Sequence, residues 1–106
     1  MRLLEEIAYV RSGDKGDTVS IGVLAKRPQD YALLKQSITD EAVRRLFGDW
    51  VKGRIEIYPM ANIEAVVVLL RNALGGGATR TLRLDQTAKS LGNAILRLEI
   101  SRPDPS

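Results

Sequence analysis

The stretch Arg11-Ser12-Gly13-Asp14-Lys15-Gly16-Asp17 sets two glycines, two carboxylates, a lysine and a serine directly after an apolar run. Glycines at 13 and 16 permit positive φ, which lets successive backbone N–H groups converge on an anion. Lys15 adds a point charge for a phosphate or carboxylate. Asp14 or Asp17, given burial and a partner, can act as a general base. The plainer use is a connector in which Asp17 forms a cap or Asx-turn and Lys15 stays solvated. The spacing is not that of a Walker A loop, and the aspartates lack the ligand pattern of a calcium loop.

A second cluster is Gly75-Gly76-Gly77-Ala78-Thr79-Arg80. Its glycines allow close backbone approach, and Thr79 with Arg80 can complete an oxyanion or phosphate cradle. Arg80 stands where a dinucleotide fingerprint needs its last glycine, so that motif is absent, and a tight turn is the plainer use. Asn62 with Glu64 is weaker still, because Asn after Pro59-Met60 suits a turn. Arg44, Arg45, Lys52 and Arg54 can meet phosphates, but helical spacing puts Arg44 and Arg45 on a solvated face.

Composition narrows the chemistry. No cysteine and no histidine occur among the 106 residues, which removes thiolate nucleophiles, iron–sulfur clusters and the commonest general base and metal ligand. Acid–base work must rest on Asp, Glu, Lys or Tyr, and neither metal nor cofactor is expected. A net charge of +3 is too mild to imply nucleic acid. Sheets that bind RNA use aromatics on their face, and Tyr9, Tyr31, Phe47, Trp50 and Tyr58 form no such motif. The first residues hold no apolar block suited to a signal peptide. The longest apolar run, Ala65 to Leu70, is far short of the roughly 20 residues of a membrane span. The expectation is a soluble, cytoplasmic protein with one domain over residues 1–101 and a disordered tail over 102–106.

These residues must be positioned by a small set of elements. Leu3 to Val10 is rich in β-formers and reads as a strand ending at the polar loop. Val19, Ile21, Val23 and Ala25 alternate with Ser20, Gly22, Leu24 and Lys26, as in a half-buried strand. Pro28 suits a first helical turn with Asp30 complementing the dipole, and Tyr31, Leu34 and Ile38 follow at helical spacing. Thr39 is the expected N-cap of a second helix, with Asp40 and Glu41 in its first turn and Gly48 at its end. Ala42, Val43, Leu46 and Phe47 supply its apolar stripe. Gly53 to Tyr58 predicts a strand limited by Pro59, and Ile63 to Leu70 a central strand apolar on both faces. Ala78 to Leu91 is helix or short strand, with Leu84, Ala88, Leu91 and Ile95 at helical spacing. Ala94 to Ser101 alternates as a last strand.

The order from the second strand onward is βαββαβ, so the expected class is α+β: a ferredoxin-like sandwich with an additional N-terminal strand. That addition raises a conflict. The first core strand of such a sandwich already has a neighbour on each side, which leaves no edge for a hairpin partner. Either residues 3–10 pair elsewhere, or they are the true first strand and 18–26 is helical. Strand propensity favours a strand at 18–26. The helical alternative would set the loops Arg11–Asp17 and Gly75–Gly77 at one end of the sheet, each leading into a helix.

Three blocks carry a family resemblance: Arg11 to Asp17 with Ile21-Gly22-Val23-Leu24-Ala25; Ala73-Leu74-Gly75-Gly76-Gly77-x-Thr79-Arg80-x-Leu82-Arg83-Leu84-Asp85; and Lys89-x-Leu91-Gly92. Together they resemble the ferredoxin-fold domain of the acyclic terpene utilisation (AtuA-like) proteins, over about Ile7 to Ile100. The family pattern has a glycine where this chain has Ala88, which favours the helical reading there or alters the turn. The resemblance implies a domain that in larger members follows a separate main body, in bacteria that degrade terpenoid and related branched acyl-CoA compounds. It implies a partner here, a large AtuA-like domain encoded separately. The positions it marks are Ser12, Gly13, Asp14, Lys15, Gly16 and Gly75, Gly76, Gly77, Thr79, Arg80, with Asp17 beside them. It assigns no catalytic residue.

Three readings follow. The first is an accessory subunit, more often non-catalytic alone, that docks on the large domain and contributes to a site for a small anion such as an acyl-CoA or carboxylate. The second is an enzyme of the lyase or hydratase type with Asp14 or Asp17 as base and Lys15 or Arg80 stabilising an oxyanion. The third is a homo-oligomeric structural module that uses the first strand or the sheet face.

Overall fold

A computed structural model describes residues 3–15, 18–48, 53–71 and 89–100. The chain opens on a 3-10 turn over Leu4–Glu6, followed by strands β1 (Ala8–Lys15) and β2 (Thr18–Ala25). A 3-10 turn at Pro28–Asp30 leads into helix α1 (Tyr31–Ser37), then α2 (Asp40–Phe47). Strands β3 (Ile55–Met60) and β4 (Ala65–Leu70) form a hairpin through a 3-10 turn at Ala61–Ile63. A last helix, α3, runs over residues 89–95 of the described chain. The four strands form one antiparallel sheet in the order β1-β2-β4-β3. The architecture is α+β and ferredoxin-like, with the additional N-terminal strand in place.

The expected first strand is displaced along the chain. Leu4 and Ile7 are buried in a turn instead, because the Leu4 and Glu5 N–H groups donate to the Leu98 and Leu96 carbonyls at 2.9 Å. The strand then starts at Ala8 and includes Arg11 to Lys15, each paired with a β2 residue: Ser12 with Ile21, Gly13 with Ser20, Asp14 with Val19, Lys15 with Thr18. Four of the polar residues read as loop are therefore strand. Their composition argues against it, and the ladder supplied by β2 overrides it.

The same pairing resolves the topological conflict. β1 takes the edge beside β2, which a C-terminal strand would otherwise need. The strand expected over Ala94 to Ser101 is helix to residue 95, then a turn, and it adds to the bonds from Leu4 and Glu5 an isolated bridge between Glu99 and Leu3 rather than a strand of the sheet. Leu91, Ile95 and Leu98 are all buried, a helical spacing that wins over the alternation of Leu96, Leu98 and Ile100.

One sheet face carries the core. Val19, Ile21 and Val23 of β2 lie beside Val66, Val68 and Leu70 of β4, all at 1% exposure or less. Leu34 of α1, Val43 and Phe47 of α2, and Leu91 and Ile95 of α3 cover them. Thr39 caps α2 as expected, its Oγ1 accepting from the Ala42 N–H at 3.1 Å, and Gly48 follows the helix at φ 54°. Arg44 and Arg45 pair with Asp40 and Glu41 one turn earlier, on the solvated side. Pro59 lies inside β3 rather than limiting it, which an outer strand of the sheet tolerates because one side needs no donor. β4 is central, and on its second face Ala65 is buried while Val67 and Leu69 are partly exposed.

Candidate functional site

Antiparallel pairing fixes which ends of the strands come together. Asp14 and Leu70 both pair with Val19, so the β1–β2 hairpin end and the exit of β4 toward Gly75–Arg80 lie at the same end of the sheet. The strand form of 18–25 produces this arrangement, where a helix there had been the expected requirement. Backbone positions of Asp14 and Lys15 belong to β1. Gly16, Asp17, Gly75, Gly76, Gly77, Thr79 and Arg80 fall outside the described residues, as does Lys52.

Gly13 differs from the positive-φ conformation expected of it. Gly13 is an ordinary strand residue without positive φ, and a Cβ there would meet nothing within 4 Å, so neither strain nor crowding demands glycine. Ser12 lies over Gly92 of α3, which links the first and third sequence blocks in space. Val10 flanks the same contact. The glycine at 92 lets α3 approach β1 closely enough to seal the core.

Beside the exit of β4 lies a cluster that spacing did not reveal. The Arg71 guanidinium donates to both Glu56 oxygens, Nε to Oε2 and Nη2 to Oε1, at 3.2 Å each. Tyr58 donates its hydroxyl to Glu56 Oε1 at 2.5 Å, and Arg54 approaches Oε2 at 3.7 Å. Arg71, then Tyr58, hold the Glu56 carboxyl below the usual carboxylate range, and the bond to Glu56 pushes the Tyr58 hydroxyl up. Both shifts move these groups away from neutral pH, so the cluster works as a clasp between β3 and β4 rather than as an acid–base pair. Glu56 and Arg71 are fifteen residues apart, and only the β3–β4 register brings them together. The alternation of Arg54, Glu56 and Tyr58 was the available signal.

On the helical side, a cleft of about 490 Å³ lies between α2 and residues 97–99. Its charged lining is balanced, Arg45 and Arg97 against Glu41 and Glu99, and it contains none of the signature residues. Among the described residues no cluster of Asp or Glu is arranged to hold a metal, and no helix is long and apolar enough to cross a membrane.

No curated protein and no solved structure matches the chain. The model of the AtuA ferredoxin-like domain family matches residues 2–101. With a ferredoxin-like sheet, a hairpin bearing the first signature block and Gly92 of the third set against it, the chain belongs to the AtuA ferredoxin-like domain family.

Proposed function

We propose that this domain is an accessory partner of a large AtuA-like domain in bacterial breakdown of terpenoid or branched acyl-CoA compounds, and that its hairpin end contributes to an anion site. The anion is a carboxylate or the phosphate-bearing end of an acyl-CoA. One observation carries the reading: the hairpin holding Asp14 and Lys15 and the exit toward Gly75–Arg80 share one end of the sheet. Two polar, glycine-bearing stretches of sequence that follow strand ends on one side of the sheet are suited to surround a single ligand.

Co-purification tests the docking. A tagged copy expressed in its own host should retain the large domain, and repeated failure to do so removes the proposal. For the ligand, Lys15→Ala and Arg80→Ala should each weaken acyl-CoA binding by the complex about tenfold, a loss of about 1.4 kcal/mol. Asp14→Asn separates binding from catalysis: pathway turnover should survive it, whereas loss of turnover with ligand binding intact would assign a base to this chain.

A further inference from the structure

The sheet face opposite the helices has a distinct composition. Register places Tyr9, Leu24, Ala65 and Met60 in one row across the four strands, and Arg11, Gly22, Val67 and Tyr58 in the next. The third row is Gly13, Ser20, Leu69 and Glu56. Tyr9 is 58% exposed, Tyr58 44% and Met60 39%. Large exposed apolar residues gathered on one face mark an interaction surface, unlike the same residues scattered singly.

The profile across the sheet is a trough. Small or half-buried residues of β2 and β4 form its floor, and the tyrosines of β1 and β3 stand on its two sides. Strands spaced about 4.8 Å apart separate the outer pair by about 14 Å. An α-helix about 10 Å across fits between them. Bases stacked on a nucleic-acid platform need aromatics within a few ångströms of one another, so two tyrosines this far apart are poorly placed for RNA.

Charge selects among protein occupants. Arg11, Arg54 and Arg71 line the face, and Lys26 reaches over the Tyr9 ring at 5.6 Å. Glu56 is the one carboxylate in the three rows, and Arg71 and Arg54 already engage it. Two copies packed face to face would bring these cations together, which is unfavourable in a water-poor interface. An acidic partner is complementary.

We infer that this open face docks an amphipathic helix of the large AtuA-like domain, its apolar stripe on Val67, Leu69 and Leu24 and its acidic flanks toward Arg11 and Lys26. This rests on the docking reading above and names the surface that does it. The test places a photo-crosslinking residue at Tyr58 and, separately, makes Arg11→Glu and Tyr9→Ser, all at exposed positions whose folding is checked by circular dichroism. With the purified large domain, the crosslink should map to one helix with acidic flanks, and Arg11→Glu should weaken the complex at least tenfold. If the complex forms but both variants bind at wild-type strength, or the crosslink misses, the face is excluded while docking stands. Crosslinks only to a second copy, or to RNA, likewise overturn it. Absence of any complex with the wild-type chain overturns the docking reading and this inference together.

Discussion

Ser12 of β1 and Gly92 of α3 are close-packed partners: a Cβ built on Gly92 would sit 3.2 Å from the Ser12 Cβ and 3.3 Å from its Oγ. Contacts that short require a neighbour to give way, so the two positions are coupled. Gly92→Leu should destabilise the domain by about 1–3 kcal/mol through overpacking. Gly92→Ala should leave stability nearly unchanged, since a gain of about 1 kcal/mol in helix propensity offsets its smaller clash. Urea unfolding of these variants with and without Ser12→Gly measures the coupling. Equal losses in both backgrounds would show that the contact carries no energy.

The two sheet faces should respond differently to truncation. Ile21→Ala, at a fully buried position between Ser12 and Val68, should cost about 2–5 kcal/mol. Tyr9→Ser, on the open face, should change stability by no more than about 0.5 kcal/mol. Thermal and chemical unfolding of the isolated domain decide this, and a large loss at Tyr9 would mean that the face is covered within the chain.

The cap of α2 is a local test. Removing the Thr39 hydroxyl leaves the Ala42 N–H without its acceptor. Thr39→Ala should lower stability by about 1 kcal/mol, with Thr39→Ser close to wild type. A stability curve for Thr39→Ala that overlays the wild type would refute the cap.

The Glu56 clasp has a pH signature. A carboxyl whose folded pKa is depressed contributes stability that is present above its unfolded pKa and is lost as pH falls through the folded value. Tyr58, raised in the fold, contributes stability that is present below its unfolded pKa and lost as pH rises through the folded value. Glu56→Gln should therefore lower Tm at pH 7, with the deficit shrinking below about pH 4, near the unfolded carboxyl pKa. A deficit that stays constant down to pH 2 would assign the effect to packing instead.

What could be read from the chain follows the range of the forces involved. Thr39, Asp40, Glu41 and Gly48 act within one or two helical turns, so α2 was legible with its cap and its end. β2 was legible from its alternation, and β4 from its run of valines. Residues 11–15 were not, because their strand character comes from β2 and not from their own types. The C-terminal segment alternates well enough to pass for a strand, but β1 occupies the sheet edge and the helical spacing of Leu91, Ile95 and Leu98 buries the segment instead. The clasp needed a register that no single segment contains, and the trough needed three registers at once. The signature blocks were visible as composition, while the contact between Ser12 and Gly92 depended on how α3 crosses β1.

Among the described residues, the last strand of the sheet ends at Leu70. Two of its three pairings are hairpins between consecutive strands, and only β2 with β4 joins distant segments, across a loop that contains both α1 and α2. Hairpins close in roughly microseconds, whereas a pairing that spans a long loop waits on its closure entropy. The expected slow step of folding is the meeting of the two hairpins, with the helices between them as the tether. During synthesis this can begin before α3 leaves the ribosome. α3 then arrives as a clamp on these four strands, and the seam between Ser12 and Gly92 is expected to close after their pairings form.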